Sequence, residues 1–254
     1  MMAERSKCTP RFRHPPVPWF PPMAAESAPS ASSPGPAAGP RHVLDPASGL
    51  AEWLAGRGQP GWRAGVIRRW LHGRRAESFV DMTDLPRDLR DDLGTEFRIW
   101  TTSTAVHQRA DDGTEKLLLE LADGQRVECV LLRDGERRTV CISSQVGCAM
   151  GCVFCASGID GVVRNLTTGE IVEQLLRLAA LLPAHERLSH IVVMGMGEPL
   201  ANLDRLLPAL AEARDPQGLG ISQRRITIST VGLPPAIGRL AAANPGYHLA
   251  VSLH

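Results

Sequence analysis

The sequence predicts an α/β fold with parallel strands in its C-terminal half, preceded by a small helical region and an antiparallel β meander. Apolar residues recur at helical spacing between residues 46 and 98, and they alternate with polar residues from about Thr101. From Cys141 onward, strand-like and helix-like segments alternate, which is typical of parallel βαβ units in a barrel or open sheet. The chain has 254 residues, 43% of them hydrophobic, enough for one large domain or one domain plus a small one.

Residues 1–40 are predicted to be a disordered tail. They are rich in Pro, Ala and Ser and cannot bury enough apolar surface to offset the entropy of ordering. Met23 begins the segment MAAESAPS, which looks like an ordinary protein start, so Met23 is an alternative first residue. A transit peptide is a rival interpretation of the Arg-bearing first residues.

Residues 41–100 are predicted to form a helical accessory domain. Leu50, Trp53 and Leu54 share one helical face, and the segment ends at glycine. Two further helices are indicated by GWRAGVIRRWLHG and LPRDLRDDLG.

Residues 101–140 are predicted to form the antiparallel meander, which links the accessory domain to the core. Its four strands are TTSTAVHQ, KLLLEL, RVECVLL and RTVCIS. Asp-Gly pairs at 112–113, 123–124 and 134–135 separate them, and each pair is a hairpin signal.

Residues 141–254 are predicted to form the core. The helices begin near Thr168, Asp204 and Pro235, and the first of them has a threonine cap with Glu170 in its first turn. The strands are HIVVMGMGEP, RRITISTVG and YHLAVSLH.

Charge and cysteine usage exclude some classes of protein. With 28 Lys+Arg against 27 Asp+Glu, the net charge of +1 does not by itself indicate a nucleic-acid partner. No apolar run is long enough to span a membrane, and no secretory signal is visible. Four of the 6 cysteines crowd one segment, which favours metal or redox chemistry in a reducing compartment.

Three of those cysteines, Cys148, Cys152 and Cys155, form a C-x3-C-x2-C run. Soft sulfur ligands select zinc or an iron–sulfur cluster. Structural zinc needs four ligands, and no second cysteine pair is present. A cubane cluster held by three cysteines leaves one iron open to a substrate or cofactor. The rival interpretation, buried core cysteines, fits poorly because glycines surround the run.

The run CISSQVGCAMGCVFCASG resembles the cluster motif of the radical S-adenosylmethionine (SAM) superfamily. It is followed in order by RNLTTGEIVEQ, VVMGMGEPLANLD, RRITISTVG and LAVSLH. Together these segments are similar to the RlmN/Cfr group of radical SAM methyltransferases, which modify an adenine of 23S rRNA and, in some members, of tRNA. The resemblance covers residues 41–254 and implies a partial radical-SAM (βα) barrel.

The resemblance also implies cofactors, partners and location. It implies a [4Fe-4S] cluster and SAM as cofactors, and carbon 2 of adenine as the target. It further implies an electron donor such as flavodoxin, a monomer, and a cytoplasmic protein without membrane contact.

Roles for individual residues are implied by the same resemblance. Cys148, Cys152 and Cys155 would hold the cluster. The SAM contacts would be residues at predicted strand ends, where α/β sheets place their sites: Gly197, Glu198, Ser229, Ser252, Leu253 and His254. The alternatives are that Glu198 caps the helix after Pro199 and that Ser229 satisfies a neighbouring group.

Two catalytic residues are implied outside the cluster motif. Cys141 would attack a methyl-bridged protein–RNA intermediate and form a disulfide, and Glu128 would take a proton from the modified carbon. The alternatives are a core-facing strand cysteine and a solvent-facing strand carboxylate. Candidate phosphate contacts are arginines: Arg137, Arg138, Arg164, Arg224 and Arg225.

Members of the group continue beyond the position that corresponds to His254, and that part carries the methyl-bearing cysteine. No cysteine follows Cys155 in this chain. The resemblance therefore implies a C-terminally truncated member, a fragment or a chain inactive alone. The alternatives are another radical SAM enzyme and a non-catalytic, metal-bearing RNA-binding module.

Overall fold

The computed structural model of the chain describes residues 41–243 and 245–253. The predicted tail at residues 1–40, the alternative start at Met23 and the predicted SAM contact His254 lie outside the described residues. No helix in the described ranges is long and apolar enough to cross a membrane.

A mixed sheet of seven strands is the centre of the structure. Four antiparallel strands form its first part, in agreement with the predicted meander: β3 (Ser103–Arg109), β4 (Glu115–Glu120), β5 (Arg126–Asp134) and β6 (Arg137–Cys141). Three parallel strands form the rest: β9 (His190–Val193), β10 (Ile226–Thr230) and β11 (His248–Val251). The spatial order is β11-β10-β9-β6-β5-β4-β3, and β6 pairs in parallel with β9, so meander and core share one sheet.

Two small ladders lie outside this sheet. β1 (Arg41–His42) and β2 (Phe97–Arg98) pair in parallel at the two ends of the helical region. β7 (Gln145–Gly147) and β8 (Val162–Asn165) pair antiparallel and enclose the three cysteines. The second ladder was not predicted, because its short strands surround a loop without periodicity.

The helical region contains α1 (Leu50–Gly56), α2 (Trp62–Arg68) and α3 (Arg87–Glu96), as predicted. The second helix departs from the α-helical prediction at its end, where Arg69–Gly73 forms a π-helical turn. Trp53 packs edge-on against the buried Phe97 ring, with 5.2 Å between ring centroids.

Three helices connect the core strands, again as predicted: α4 (Thr168–Ala180), α5 (Leu203–Arg214) and α6 (Pro234–Ala243). Thr167 and Glu170 form a capping box at the start of α4, which satisfies two backbone N–H groups at once. The fully buried Glu173 of α4 accepts hydrogen bonds from Thr101 and Thr102, so the start of the meander is tied to the core.

Two core strands are shorter than their sequence patterns suggested. HIVVMGMGEP is a strand only from His190 to Val193, and RRITISTVG only from Ile226 to Thr230. Beyond Val193 the backbone turns, because Gly195 and Gly197 approach a neighbouring segment more closely than a side chain would allow. These turns form the edge on which the candidate site is built.

Candidate functional site at the strand ends

A cavity of about 340 Å³ opens at the carboxyl ends of β9, β10 and β11. It brings together most of the sequence-predicted cofactor residues: Cys148, Cys152, Cys155, Gly197, Glu198, Ser229 and Ser252. Segments more than a hundred positions apart in the sequence thus meet at one edge of the sheet.

One wall of the cavity is the cysteine loop between β7 and β8. At its base, Cys148 N–H donates to the Gly161 carbonyl at 2.9 Å. Gly147 has φ +73°, and a Cβ there would lie 2.1 Å from the Gly161 oxygen. Only glycine fits this crossing of two backbones, so the base of the loop is closed by backbone contact.

The described cysteines are free thiols. Burial raises the pKa of Cys148, and the nearby Cys155 and Cys152 thiols add to the rise. Three sulfur donors on one loop, facing one cavity, fit an iron–sulfur cluster with one open iron. Within the described part of the chain, no group of three or more His, Cys, Asp or Glu already has an arrangement that could hold a metal ion. The three thiols therefore line one cavity without already forming a metal site.

The opposite wall is the turn after β9. Ser144 N–H donates to the Met196 carbonyl at 2.8 Å. This hydrogen bond joins the turn to the segment that follows β6. Gly197 has φ +98°, and a Cβ there would lie 2.5 Å from Gln145 Cβ. Gln145 Oε1 in turn accepts from Glu198 N–H at 2.8 Å.

Glu198 is 3% exposed and its carboxylate is held by three donors. Leu200 N–H and the Thr230 hydroxyl donate to Oε1 at 3.0 and 2.6 Å, and Val231 N–H donates to Oε2 at 3.0 Å. Glu198 thus does cap the turn after Pro199, as the alternative interpretation held, and it also lines the cavity.

Thr230 is a site residue that the sequence analysis missed. It lies beside Ser229, but alternation along β10 turns it to the buried face, where it contacts Glu198. Its Oγ1 also accepts from Gly232 N–H at 3.0 Å. The sequence did carry one signal for Thr230. It directly follows Ser229, a predicted SAM contact, at the end of a predicted strand.

The serines of the two last strands also meet. The Oγ atoms of Ser229 and Ser252 lie 3.3 Å apart, so each hydroxyl has a hydrogen-bond neighbour. Ser252 N–H donates to the Thr230 carbonyl at 2.8 Å. Leu253 does not line the cavity and is 86% exposed.

Cys141 and Glu128 lie on one face of the sheet, next to the cavity but outside its lining. Cys141 pairs with Val130 on β5, two residues from Glu128, which places both on the same face. Burial raises the pKa of the Cys141 thiol, and the Met194 backbone hydrogen bond opposes that rise. Since Met194 lines the cavity, Cys141 adjoins it.

Glu128 faces solvent on β5 between the buried Val127 and Cys129, as its alternative interpretation held, and it forms an ion pair there. Its Oε1 lies 2.9 Å from Lys116 Nζ, with both side chains about half-exposed. The neighbouring Cys129, for which no role was predicted, is buried, and burial raises its pKa to about 12.

The predicted phosphate-contacting arginines divide into two groups. Arg138 is paired with Glu186, and Arg164 with Glu170 and Asp123, which raises the pKa of both guanidinium groups. The other three have no ion pair within the described ranges: Arg137, Arg224 and Arg225. All three lie at or before the amino ends of strands, away from the cavity.

Two family models match the chain. Residues 142–253 match the radical SAM superfamily, and residues 45–99 match the ribosomal RNA large subunit methyltransferase N-terminal domain. The fold, the cysteine loop and these matches make the chain similar to radical SAM proteins.

Within that superfamily, the chain is similar to RNA methyltransferases described as RlmN. It is 66% identical over 205 residues to a probable dual-specificity RNA methyltransferase RlmN of Rhodopirellula baltica, covering 81% of this chain and 55% of that protein. It is 44% identical over 206 residues to the protein of the same description from Bacillus subtilis, covering 81% of this chain and 57% of that protein. The chain thus spans somewhat more than half the length of these relatives.

A solved structure supports the same assignment. A radical SAM methyltransferase from Sphaerobacter thermophilus superposes with a TM-score of 0.79 at 42% identity, covering 85% of this chain and 64% of that chain. The predicted α/β architecture with parallel strands is confirmed by this similarity.

Proposed function

We propose that this chain is part of a radical SAM methyltransferase that modifies carbon 2 of an adenine in 23S rRNA, and also acts on tRNA. The observation that carries the proposal is the strand-end cavity, which gathers three thiols, a buried carboxylate and two serines. The RNA methyltransferase descriptions of its relatives support the same activity.

The three loop thiols, Cys148, Cys152 and Cys155, are the proposed ligands of a [4Fe-4S] cluster. A bound cluster supplies one-electron reduction of SAM, with the electron coming from a donor such as flavodoxin. The contribution of the chain is to present three sulfurs on a loop with a backbone-closed base and to leave one side of the cavity open.

The proposed SAM contacts are the groups of the opposite wall. A carboxylate oxygen accepts about two hydrogen bonds. Glu198 Oε1 already accepts two and Oε2 accepts one, which leaves Oε2 able to receive an ammonium proton. The Ser229 and Ser252 hydroxyls provide further polar contacts in the same cavity. His254, which lies two residues after Ser252 in sequence, is proposed to extend these contacts.

Cys141 and Glu128 are proposed as the exchange thiol and the general base. Their shared sheet face gives both access to a nucleotide placed against the open side of the sheet. Because the raised pKa keeps Cys141 largely a neutral thiol, its attack requires loss of a proton in the reaction.

The remaining proposals concern organisation. We assign residues 41–100 to an accessory domain, 101–140 to the linking meander and 141–254 to the radical SAM core. The protein is proposed to be a cytoplasmic monomer.

Anaerobic reconstitution with iron and sulfide tests the cluster assignment. The wild-type chain should take up about four irons, and Cys152→Ala should lose the iron–sulfur absorbance. Cys129→Ala is the matched control, because Cys129 is buried in the sheet away from the cavity. Stoichiometric zinc without iron would instead favour the metal-bearing RNA-binding module.

Methylation tests the activity. The reconstituted core, joined to a segment that carries the methyl-bearing cysteine and supplied with a reductant and labelled SAM, should label an adenine of 23S rRNA at carbon 2. Label at carbon 8 would overturn the positional assignment. Absence of label in a protein that binds iron and SAM would overturn the proposed methyltransferase activity.

A further inference from the structure

We propose a phosphate-binding cavity at the end of the parallel strands opposite to the cysteine loop. The cavity has a volume of about 330 Å³, within the usual range of small-molecule sites. Four arginines line it: Arg69, Arg74, Arg75 and Arg187.

Its position separates it from the candidate catalytic site. The lining includes the π-helical turn after α2, residues 184–188 before β9, and residues 216–219 between α5 and β10. These loops precede the amino ends of β9 and β10, whereas the cysteine cavity lies at their carboxyl ends. A ligand here would therefore occupy a second site.

Arg75 is held in place by the loop that carries Arg187. Its guanidinium donates to the carbonyls of Glu186 at 2.6 Å and Pro183 at 3.2 Å, and to that of Leu182. Arg75 is also the only non-glycine residue of the described chain with positive φ, at 54°. Such a conformation persists where surrounding contacts hold it, and it is common at binding sites.

The positive charge of the lining exceeds its negative charge. Burial and the neighbouring Arg187 lower the pKa of Arg75, which places two cations close together. Glu186 is the acidic residue of the lining, and its carboxylate is already paired with Arg138. Arg74 is paired with Asp84 at 3.3 Å. Arg69 and Arg187 have no such partner within the described ranges.

The same end of the sheet is basic beyond the cavity. Burial lowers the pKa of His190, at the start of β9, and Arg225 and Arg137 lower it further. Both are among the arginines without an ion pair in the described structure. Several cations at one edge create a field that attracts polyanions.

Phosphate is the ligand group that this arrangement fits. Guanidinium groups bind phosphate oxygens through paired N–H donors, and two unpaired arginines match a group carrying more than one negative charge. Because the cavity is larger than one ion needs, the phosphate is expected to be part of a larger molecule, either a segment of RNA or a small phosphorylated compound.

Calorimetric titration of the full chain with inorganic pyrophosphate tests the site. The double variant Arg69→Gln/Arg187→Gln should weaken binding about tenfold or more, since charge-assisted hydrogen bonds are lost. Arg187→Lys in the Arg69 wild-type background should retain only part of the affinity, because it keeps the charge and loses the paired N–H donors. Arg205→Gln is the matched control, because Arg205 is exposed on α5 and does not line the cavity.

A competing RNA distinguishes the sources of the phosphate. If a single-stranded RNA oligonucleotide displaces pyrophosphate, and the double variant also weakens RNA binding, the site takes the RNA backbone. If pyrophosphate binds equally well with RNA present, the site takes a free phosphorylated compound. Either result supports the phosphate cavity.

Absence of saturable pyrophosphate binding, or equal binding by the double variant and wild type, would overturn the proposal. The titration uses the chain without iron or SAM. Its failure is therefore distinguishable from failure of the proposed methyltransferase function, which depends on cluster loading.

Discussion

The two walls of the strand-end cavity differ in how firmly they are held. The wall after β9 has Glu198 buried and bound by three donors, and glycines in close backbone contact. In the cysteine loop, Val153 is fully exposed and Ile159 is 77% exposed. The backbone N–H groups of Cys155, Gly158 and Ile159 bond only to carbonyls three residues earlier.

This difference assigns different physical tasks to the two walls. The carboxylate wall is formed by protein contacts alone, so its geometry does not depend on a bound ligand. In the cysteine loop, these backbone hydrogen bonds stay within the loop, and no group of side chains among the described residues already forms a metal site. If the loop binds a cluster as proposed, part of the binding free energy should offset the cost of bringing its thiols together.

The largest effect on stability is expected at Gly197, where the wall after β9 is crowded. Gly197→Ala would place a Cβ 2.5 Å from Gln145 Cβ and 2.7 Å from Gln145 N at a φ of +98°. The free energy of unfolding should fall by about 3 kcal/mol, because crowding adds to backbone strain. Urea denaturation measures the change.

Gly220→Ala is the matched control for that substitution. Gly220 also has positive φ, at +64°, but no atom lies within 4 Å of its Cβ position. It should cost only about 1–2 kcal/mol of unfolding free energy, the strain alone. Equal losses in the two variants would show that the wall after β9 is not tightly packed.

Glu198→Gln is expected to weaken the same wall by removing its charge. Both carboxylate oxygens accept hydrogen bonds, so either amide orientation sets an NH₂ group against an N–H or O–H donor. The unfolding free energy should fall by about 2 kcal/mol, and SAM affinity of the reconstituted chain by about tenfold or more.

The control for this charge removal is Glu52→Gln, on an exposed residue of α1. It should change stability by less than about 0.5 kcal/mol. If Glu198→Gln binds SAM as well as wild type, Glu198 serves only as the cap of the turn after Pro199.

The comparison of the walls also explains what the sequence could reveal. Helices, meander and parallel strands were predictable because each follows a local period or cap, as in the Thr167–Glu170 capping box of α4. The cysteine spacing and the strand-end positions of Glu198 and Ser229 could also be predicted from the sequence. Those residues lie where chain order and fold class already place a site.

Contacts between distant segments were not predictable. Thr230 reaches Glu198 only because β9 and β10 are neighbours in the sheet, and no local pattern reveals that neighbour. The β7–β8 ladder depends on two glycine backbones that meet across the loop, Gly147 and Gly161. Cys141 and Glu128 share a face because of strand register, which periodicity does not fix across strands.

A smaller effect is expected at Thr230, which positions Glu198. Thr230→Val removes the hydroxyl that donates to Oε1 at 2.6 Å and accepts from Gly232 N–H at 3.0 Å. The unfolding free energy should fall by about 1–2 kcal/mol and SAM affinity several-fold.

Thr230→Ser keeps the hydroxyl and should restore SAM affinity to near the wild-type value. Calorimetry on the reconstituted chain measures both variants. If Val and Ser variants bind SAM equally, the hydroxyl has no positioning role, even where Glu198→Gln has a clear effect.

The smallest effect is expected from the buried sheet thiol of Cys129. Burial raises the pKa of Cys129 from its ordinary 9.0 to about 12. The folded state therefore holds this proton after the unfolded state has lost it, so stability present below about pH 9 is lost as pH rises toward 12. Between pH 8 and pH 10 this group alone should cost about 1 kcal/mol of unfolding free energy. The decline should be shallower in Cys129→Ala than in the wild-type chain. Identical declines in the two proteins would mean that the Cys129 thiol is not sequestered in the sheet.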